Sequence, residues 1–270
     1  MGLAFTRAGS GPPLVLIHGL GHRRQAWDPV LGRLTPHREV ITLDLPGHGD
    51  SPALPVPGGA GAGAAKQNTV AAMADEIAGL LASLGVERPH VAGNSLGGAL
   101  ALVLAARGQA ASATGLSPAG FPNHRYQLLL ARAFFESALF TANRLRPAVP
   151  ALSGNPAGRA LLFGLVVAKP RRLTREQARG DMAGIAKTGP AIHAVFGTFE
   201  PFTAVIPDGI PVTIAWGAKD RILPRANARV ARERLPQARF ILLRGCGHVP
   251  MTDDPELVAN VLLSGSSHNS

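Results

Sequence analysis

Three side chains in this 270-residue chain are of the types that acyl-transfer chemistry needs. Ser95 stands in VAGNSLGG, with Gly93 two residues before it and Gly97 two after. His248 stands in the glycine-rich stretch RGCGHVP, and Asp220 in WGAKDRILP. A serine hydroxyl is a poor nucleophile at neutral pH. It needs a base to take its proton and a carboxylate to orient and stabilise that base. Taken singly, each residue also has a bland explanation. Gly-x-Ser-x-Gly arises by chance in a chain with 32 glycines, and an isolated loop histidine usually does nothing. Their meaning depends on the elements that position them.

Short apolar runs recur along the chain: LVLI at 14–17, VITL at 40–43, the run into the serine turn at 88–92, ATGL at 113–116, VTIAW at 212–216 and FILL at 240–243. Between them, 70–84, 96–106, 224–235 and 255–263 carry apolar residues at helical spacing. This alternation predicts an α/β fold with a mostly parallel central sheet flanked by helices. Ser95 then falls on a sharp strand-to-helix turn, where Gly93 and Gly97 remove the Cβ atoms that would collide with strand and helix. Asp220 and His248 each follow a predicted strand, at the edge where open parallel sheets build their sites.

Between 121 and 206 the alternation stops. YQLLLARAFFESALF and GRALLFGLVVA read as helices and no strand is evident. The expected organisation is therefore a core of 1–120 and 207–263, an inserted helical lid (cap) at 121–206, and a disordered tail at 264–270. Phe134, Phe135, Phe163, Phe196 and Phe199 of the insertion either line a substrate pocket or pack its helices together. His193 has no partner that the sequence identifies.

Bulk properties exclude several classes. Hydrophobic residues make up 46% of the chain, above the disordered range. No apolar run reaches the roughly 20 residues that span a bilayer, so no membrane partner is expected. The N-terminal stretch lacks a basic segment followed by an apolar core, so no secretory signal is read and a cytoplasmic location is expected. The single cysteine, Cys246, excludes an internal disulfide. The net charge of +10 is scattered, and Arg225, Arg229 and Arg232 read as a solvated helix face, so no nucleic-acid partner is expected. GGAGAGAAK at 58–66 lacks the Gly-Lys-Ser/Thr of a phosphate loop and reads as a mobile surface loop. HGLGHRR lacks the third glycine of a dinucleotide fingerprint.

The order Ser, Asp, His along the chain, with the glycine-flanked serine turn, resembles the α/β-hydrolase fold serine hydrolases. That group contains small lipolytic esterases and C–C bond hydrolases. The resemblance covers most of the chain: His18 and Gly19 of LVLIHGLGH, Asp44 to Ser51 of DLPGHGDS, GNSLGG, Asp220 of GAKDRILP and His248 of GCGHVPMTDDP. It implies Ser95 as nucleophile, His248 as base and Asp220 as its orienting acid. It further implies the backbone N–H groups of Leu20 and Leu96 as oxyanion donors, with Gly93, Gly97, His18 and Gly19 supporting the turn and the oxyanion loop. Asp44 is a rival acid on a loop remote from His248, and Asp253 and Asp254 read as the start of the final helix. Hydrolysis of a carboxylic ester or related acyl bond of a small, largely apolar substrate is the implied reaction, with no metal or organic cofactor. C–C bond hydrolysis and cofactor-free haloperoxidase or perhydrolase chemistry are alternatives on the same residues, and a ligand-binding receptor of this fold is the non-enzymatic one. Serine at 95 excludes the dehalogenase and epoxide hydrolase branches, which place aspartate there. One departure is visible. The family usually begins with two antiparallel strands, whereas only about a dozen residues precede LVLI, so the first strand is expected to be short or missing.

Overall fold

The computed structural model describes residues 2–54 and 68–267. The stretch at 58–66 and the last three residues lie outside them. Seven strands, β1 (Phe5–Ala8), β2 (Pro13–Ile17), β3 (Glu39–Leu43), β4 (His90–Asn94), β5 (Ser112–Leu116), β6 (Val212–Gly217) and β7 (Arg239–Leu243), form one sheet in the order β1-β3-β2-β4-β5-β6-β7. Only β1 runs antiparallel, against β3. The first strand is thus short but present. Its four residues are all exposed at the sheet edge, and for that reason FTRA carries no apolar run to betray it.

Helices cover both faces. They are α1 (Asp28–Leu34), α2 (Thr69–Ser83), α3 (Leu96–Ala106), α9 (Arg225–Arg234), α10 (Pro250–Asp253) and α11 (Pro255–Gly265). Between β5 and β6 lie α4 (Arg125–Arg144), α5 (Val149–Gly154), α6 (Pro156–Phe163), α7 (Arg175–Lys187) and α8 (Gly189–Gly197), with no strand among the described residues. The central strands are near-continuously apolar because alternate side chains enter two separate cores. On β2, Val15 and Ile17 join Ile41, Ile77, Leu100 and Trp216 on one face, while Leu14 and Leu16 join Trp27, Leu34, Leu116 and Leu262 on the other.

The chain's C-terminal end departs from the expected tail. Ser264 and Gly265 complete α11, and Ser266 is buried, its hydroxyl and carbonyl accepting hydrogen bonds from Arg38. The strand order places β3 on one side of β2 and β4 on the other. The crevice at this switch point, at the carboxyl ends of β2 and β4, is where a doubly wound sheet leaves room for a ligand.

Candidate functional site

Ser95 sits at that crevice, between the end of β4 and the first residue of α3. Its backbone is held at φ 56°, ψ −117°, a conformation that an L-residue keeps only when its surroundings enforce it. The enforcing contacts are explicit: Ser95 N donates to Leu116 O at 3.0 Å, and Ser95 O accepts from Ala99 N and Ala119 N. The flanking glycines follow from close approach. A Cβ on Gly93 would lie 2.1 Å from Gly97 O, and one on Gly97 would lie 2.0 Å from Ile17 O. No other residue fits either position without moving backbone.

The loop after β2 lies against this turn, and a Cβ on Gly19 would come 3.2 Å from Ser95 Cβ. Two buried histidines hold the loop. His18 Nδ1 donates to Gly19 O at 2.8 Å while its Nε2 accepts from Leu45 N at 3.0 Å. His48 Nδ1 donates to Pro46 O, and its Nε2 accepts from Gly21 N at 3.1 Å. Gly19 O also accepts from His22 N, so the Gly21 and His22 amides that follow Leu20 have fixed partners, and Leu20 N has none among the described residues. Leu96 N opens an eleven-residue helix, so the positive helix end and the free Leu20 amide flank one space beside Ser95. His48 belongs to the DLPGHGDS stretch, which sequence reading noted without assigning this histidine a task.

Desolvation holds both support histidines in the neutral form that this bonding requires. His48 is pushed down to about 4, partly opposed by its bond to Pro46 O, and His18 lies well below its usual value through burial and the neighbouring His48. Between these values and the ordinary 6.5, the unfolded chain takes up protons that the folded chain refuses. Stability present above pH 6.5 is therefore lost as the pH falls toward 4. His48 alone is expected to remove about 2 to 3 kcal/mol of unfolding free energy between pH 7 and pH 4.5. Urea titrations at the two pH values would check this, and His48→Asn should be less sensitive to the same pH change by that amount.

On the far side of the crevice, His248 Nδ1 bonds Asp220 Oδ2 at 2.8 Å, both side chains being buried. The other carboxylate oxygen of Asp220 accepts from Ile222 N at 2.9 Å and Leu223 N at 2.8 Å, which fixes the plane of the group. This bonding puts the imidazole proton on Nδ1. His248 Nε2 is then a buried nitrogen with no hydrogen-bond partner among the described residues. Ser95 Oγ is not bonded to it in this structure, as is common before substrate closes the site.

Two residues secure the His248 loop, one absent from the sequence reading and one given another role there. Asn94, adjacent to Ser95, donates through Nδ2 to His248 O at 2.8 Å and to Leu116 O at 3.0 Å, tying the serine turn to the histidine loop. Asp253 does not start the final helix. Completely buried, it accepts from Gly247 N at 2.7 Å and from Ala168 N and Lys169 N, joining the His248 loop to the segment before α7. Asp254 caps α11 through Leu257 N, as its position suggested. Asp44 is engaged elsewhere: Arg24 N, the Arg24 guanidinium and Asp50 N all bond it, and His18 is its histidine neighbour at 3.9 Å. Cys246 is buried and its thiol is pushed up to about 11 by desolvation, so it stays protonated.

A cavity of about 360 Å³ opens on Ser95, Leu20 and Leu96. It follows one face of α3 through Ala99, Val103 and Ala106 to Arg107, and is closed from above by Phe135, Phe196 and Phe199. Three of the five phenylalanines singled out in the sequence thus line it. Phe163 is instead buried in the second core, and Phe134 packs edge-on against Phe135. His193 pairs with Glu136 at 3.2 Å on the surface. No group of three or more metal-ligating side chains occurs among the described residues, and no helix there is long and apolar enough to cross a membrane.

The model of the alpha/beta hydrolase family matches residues 14–261. The chain belongs to this family. An uncharacterized protein of Mycobacterium tuberculosis is 30% identical to this alpha/beta hydrolase over 263 residues, covering 93% of this chain and 74% of the relative. Among solved structures, a membrane phospholipase A, described as a bacterial virulence factor, superposes with a TM-score of 0.72 at 28% identity, covering 98% of this chain and 83% of the other. The 2-hydroxy-6-oxo-6-phenylhexa-2,4-dienoate hydrolase of Rhodococcus sp. strain RHA1 superposes with a TM-score of 0.73 at 20% identity over 97% and 98% of the two chains, a likeness of fold. Esterases, lipases and a C–C bond hydrolase thus share the architecture of this alpha/beta hydrolase.

Proposed function

We propose that the protein is a serine hydrolase of carboxylic esters whose acyl chain lies along α3. The observation that carries this reading is the buried, unpartnered Nε2 of His248, whose Nδ1 proton is held by a carboxylate itself fixed by two backbone amides. In the proposed reaction Ser95 Oγ attacks the ester carbonyl carbon as His248 Nε2 takes its proton. The tetrahedral oxyanion is received by Leu20 N–H and Leu96 N–H, and Asp220 stabilises the imidazolium. Collapse expels the alcohol, which takes the proton from Nε2, and leaves Ser95 acylated. Water, deprotonated by the same nitrogen, attacks the acyl carbon; the carboxylic acid leaves and Ser95 recovers its proton. This chemistry calls on no cofactor.

Cavity shape supports an acyl group of medium length. From Ser95 to Ala106 the face of α3 extends about 16 Å at helical rise, and it is lined by small apolar side chains. The polar Asn68, which is half-buried, and the exposed Arg107 and Glu200 stand at the far end. Each methylene taken from water contributes about 0.8 kcal/mol, so kcat/KM should climb from acetyl to octanoyl esters. The 28% identical membrane phospholipase A is a lipid-ester enzyme by name, in keeping with that preference.

The test combines a fluorophosphonate probe, read by peptide mass spectrometry, with a p-nitrophenyl ester series. Labelling at Ser95 with turnover is the expected result, and a folded protein showing neither would remove the reading in favour of a ligand-binding role. Val103→Trp, whose side chain would fill the middle of the channel, should cost at least about tenfold in kcat/KM on the octanoyl ester and little on the acetyl ester. Equal losses on both would show that the channel is an entry route and not the acyl site.

A further inference from the structure

Helix α4 is apolar on two opposite faces, and only one of them is used. Leu128, Ala131, Phe135, Leu139 and Ala142 point inward; the first three line the Ser95 cavity, and Leu139 and Ala142 join the cores. On the opposite side Tyr126, Leu129, Leu130, Ala133 and Phe140 are exposed, falling within roughly 100° of one another in helical projection. Leu129, Leu130 and Phe140 keep 68%, 62% and 69% of their surface in water. A cluster of large aliphatic and aromatic side chains left this open is a docking face and not a packing remnant.

Charge selects what docks there. Arg125, Arg132 and Arg144 lie on the same helix and Arg146 just beyond it, against a single acid, Glu136, which already pairs with Arg132 and His193. From 121 to 206 the chain carries eleven Lys and Arg against four Asp and Glu, so this stretch holds +7 of the net charge of +10. A second copy applied to this face would oppose arginine with arginine. An apolar stripe bordered by arginines matches the acyl and headgroup layers of an anionic bilayer surface.

We infer that the outer face of α4 docks the protein on anionic lipid surfaces, with Leu129, Leu130 and Phe140 entering the interface and the flanking arginines meeting the headgroups. The expectation of no membrane partner rested on the lack of a spanning segment, and a docking face needs none. Because the inner face of the same helix lines the Ser95 cavity, docking sets that cavity directly beneath the lipid. The inference stands apart from the serine hydrolase reading, since binding can be measured without turnover.

The test is co-sedimentation of the full chain with vesicles of phosphatidylcholine alone and of phosphatidylcholine mixed with phosphatidylglycerol. Binding to the mixed vesicles is expected, weakened by high salt and absent from the zwitterionic ones. The triple variant Leu129→Ser, Leu130→Ser, Phe140→Ser retains every charge and alters only exposed side chains. It should lose at least tenfold in partitioning to mixed vesicles, with unchanged circular dichroism and unchanged hydrolysis of p-nitrophenyl acetate. Equal binding by the variant would assign attachment to general charge and overturn the inference. A concentration-dependent dimer that the triple variant dissolves, without vesicle binding by the parent, would overturn it too and give the face to a second copy.

Discussion

Ser95→Ala is expected to lower kcat by about a million-fold while leaving the fold intact, the scale on which members of a serine triad act as a unit. The fold should survive because the Ser95 side chain makes no capping hydrogen bond to the helix that follows it. Alanine also retains the Cβ around which the turn is already built. What the variant loses is the hydroxyl set beside the Leu20 and Leu96 amides, so the fluorophosphonate adduct should vanish together with turnover. A residual acceleration of about a thousandfold over water should remain, supplied by Leu20 N–H and Leu96 N–H and by substrate binding. Parallel measurements of kcat on the octanoyl ester, intact mass after labelling and circular dichroism would decide the matter. A variant retaining more than about a hundredth of the parent activity would remove Ser95 from the proposed mechanism.

Asp220→Asn should cost about ten-thousandfold in kcat with little change in KM. The amides of Ile222 and Leu223 both donate to one carboxylate oxygen, so an asparagine would keep its carbonyl oxygen there and turn its NH2 toward His248. That NH2 can only donate, and His248 Nδ1 must then accept. The imidazole proton moves to Nε2, the nitrogen that in the proposed mechanism takes the proton of Ser95. Asp220 does not line the cavity, which is why substrate binding should be spared. A steady-state series checks the split: a rise in KM with unchanged kcat would mean that Asp220 acts on binding and not on the base.

Much of the fold was legible because it is locally written. Six of the seven strands were apolar runs of buried-strand length, and α3 was read with its exact ends, since Ser95 and the glycines mark its start. The helices of 28–34, 149–154, 175–187 and 189–197 were not separately legible. Their apolar positions are few or interrupted by glycine and proline, and what they bury depends on partners distant in the chain. Likewise α6 ends at Phe163, although the apolar run continues to Ala168, because Gly164 and the turn after it redirect the chain.

By itself the sequence determined the alternating architecture and the identities of Ser95, Asp220 and His248 as candidates, because glycine spacing and apolar periodicity are short-range properties. Only the tertiary structure decided what those residues touch. It gave the Asp220 carboxylate two backbone amides and one imidazole, set His48 on Gly21 N, and left His248 Nε2 and Leu20 N without a partner among the described residues. It also removed Asp253 from the last helix and placed it between Gly247 and Lys169, and it left one apolar face of α4 in water. The physical reason is the same in each case. Hydrogen-bond partners and buried faces are fixed by packing between segments far apart in the chain, and no local pattern records which segment will arrive.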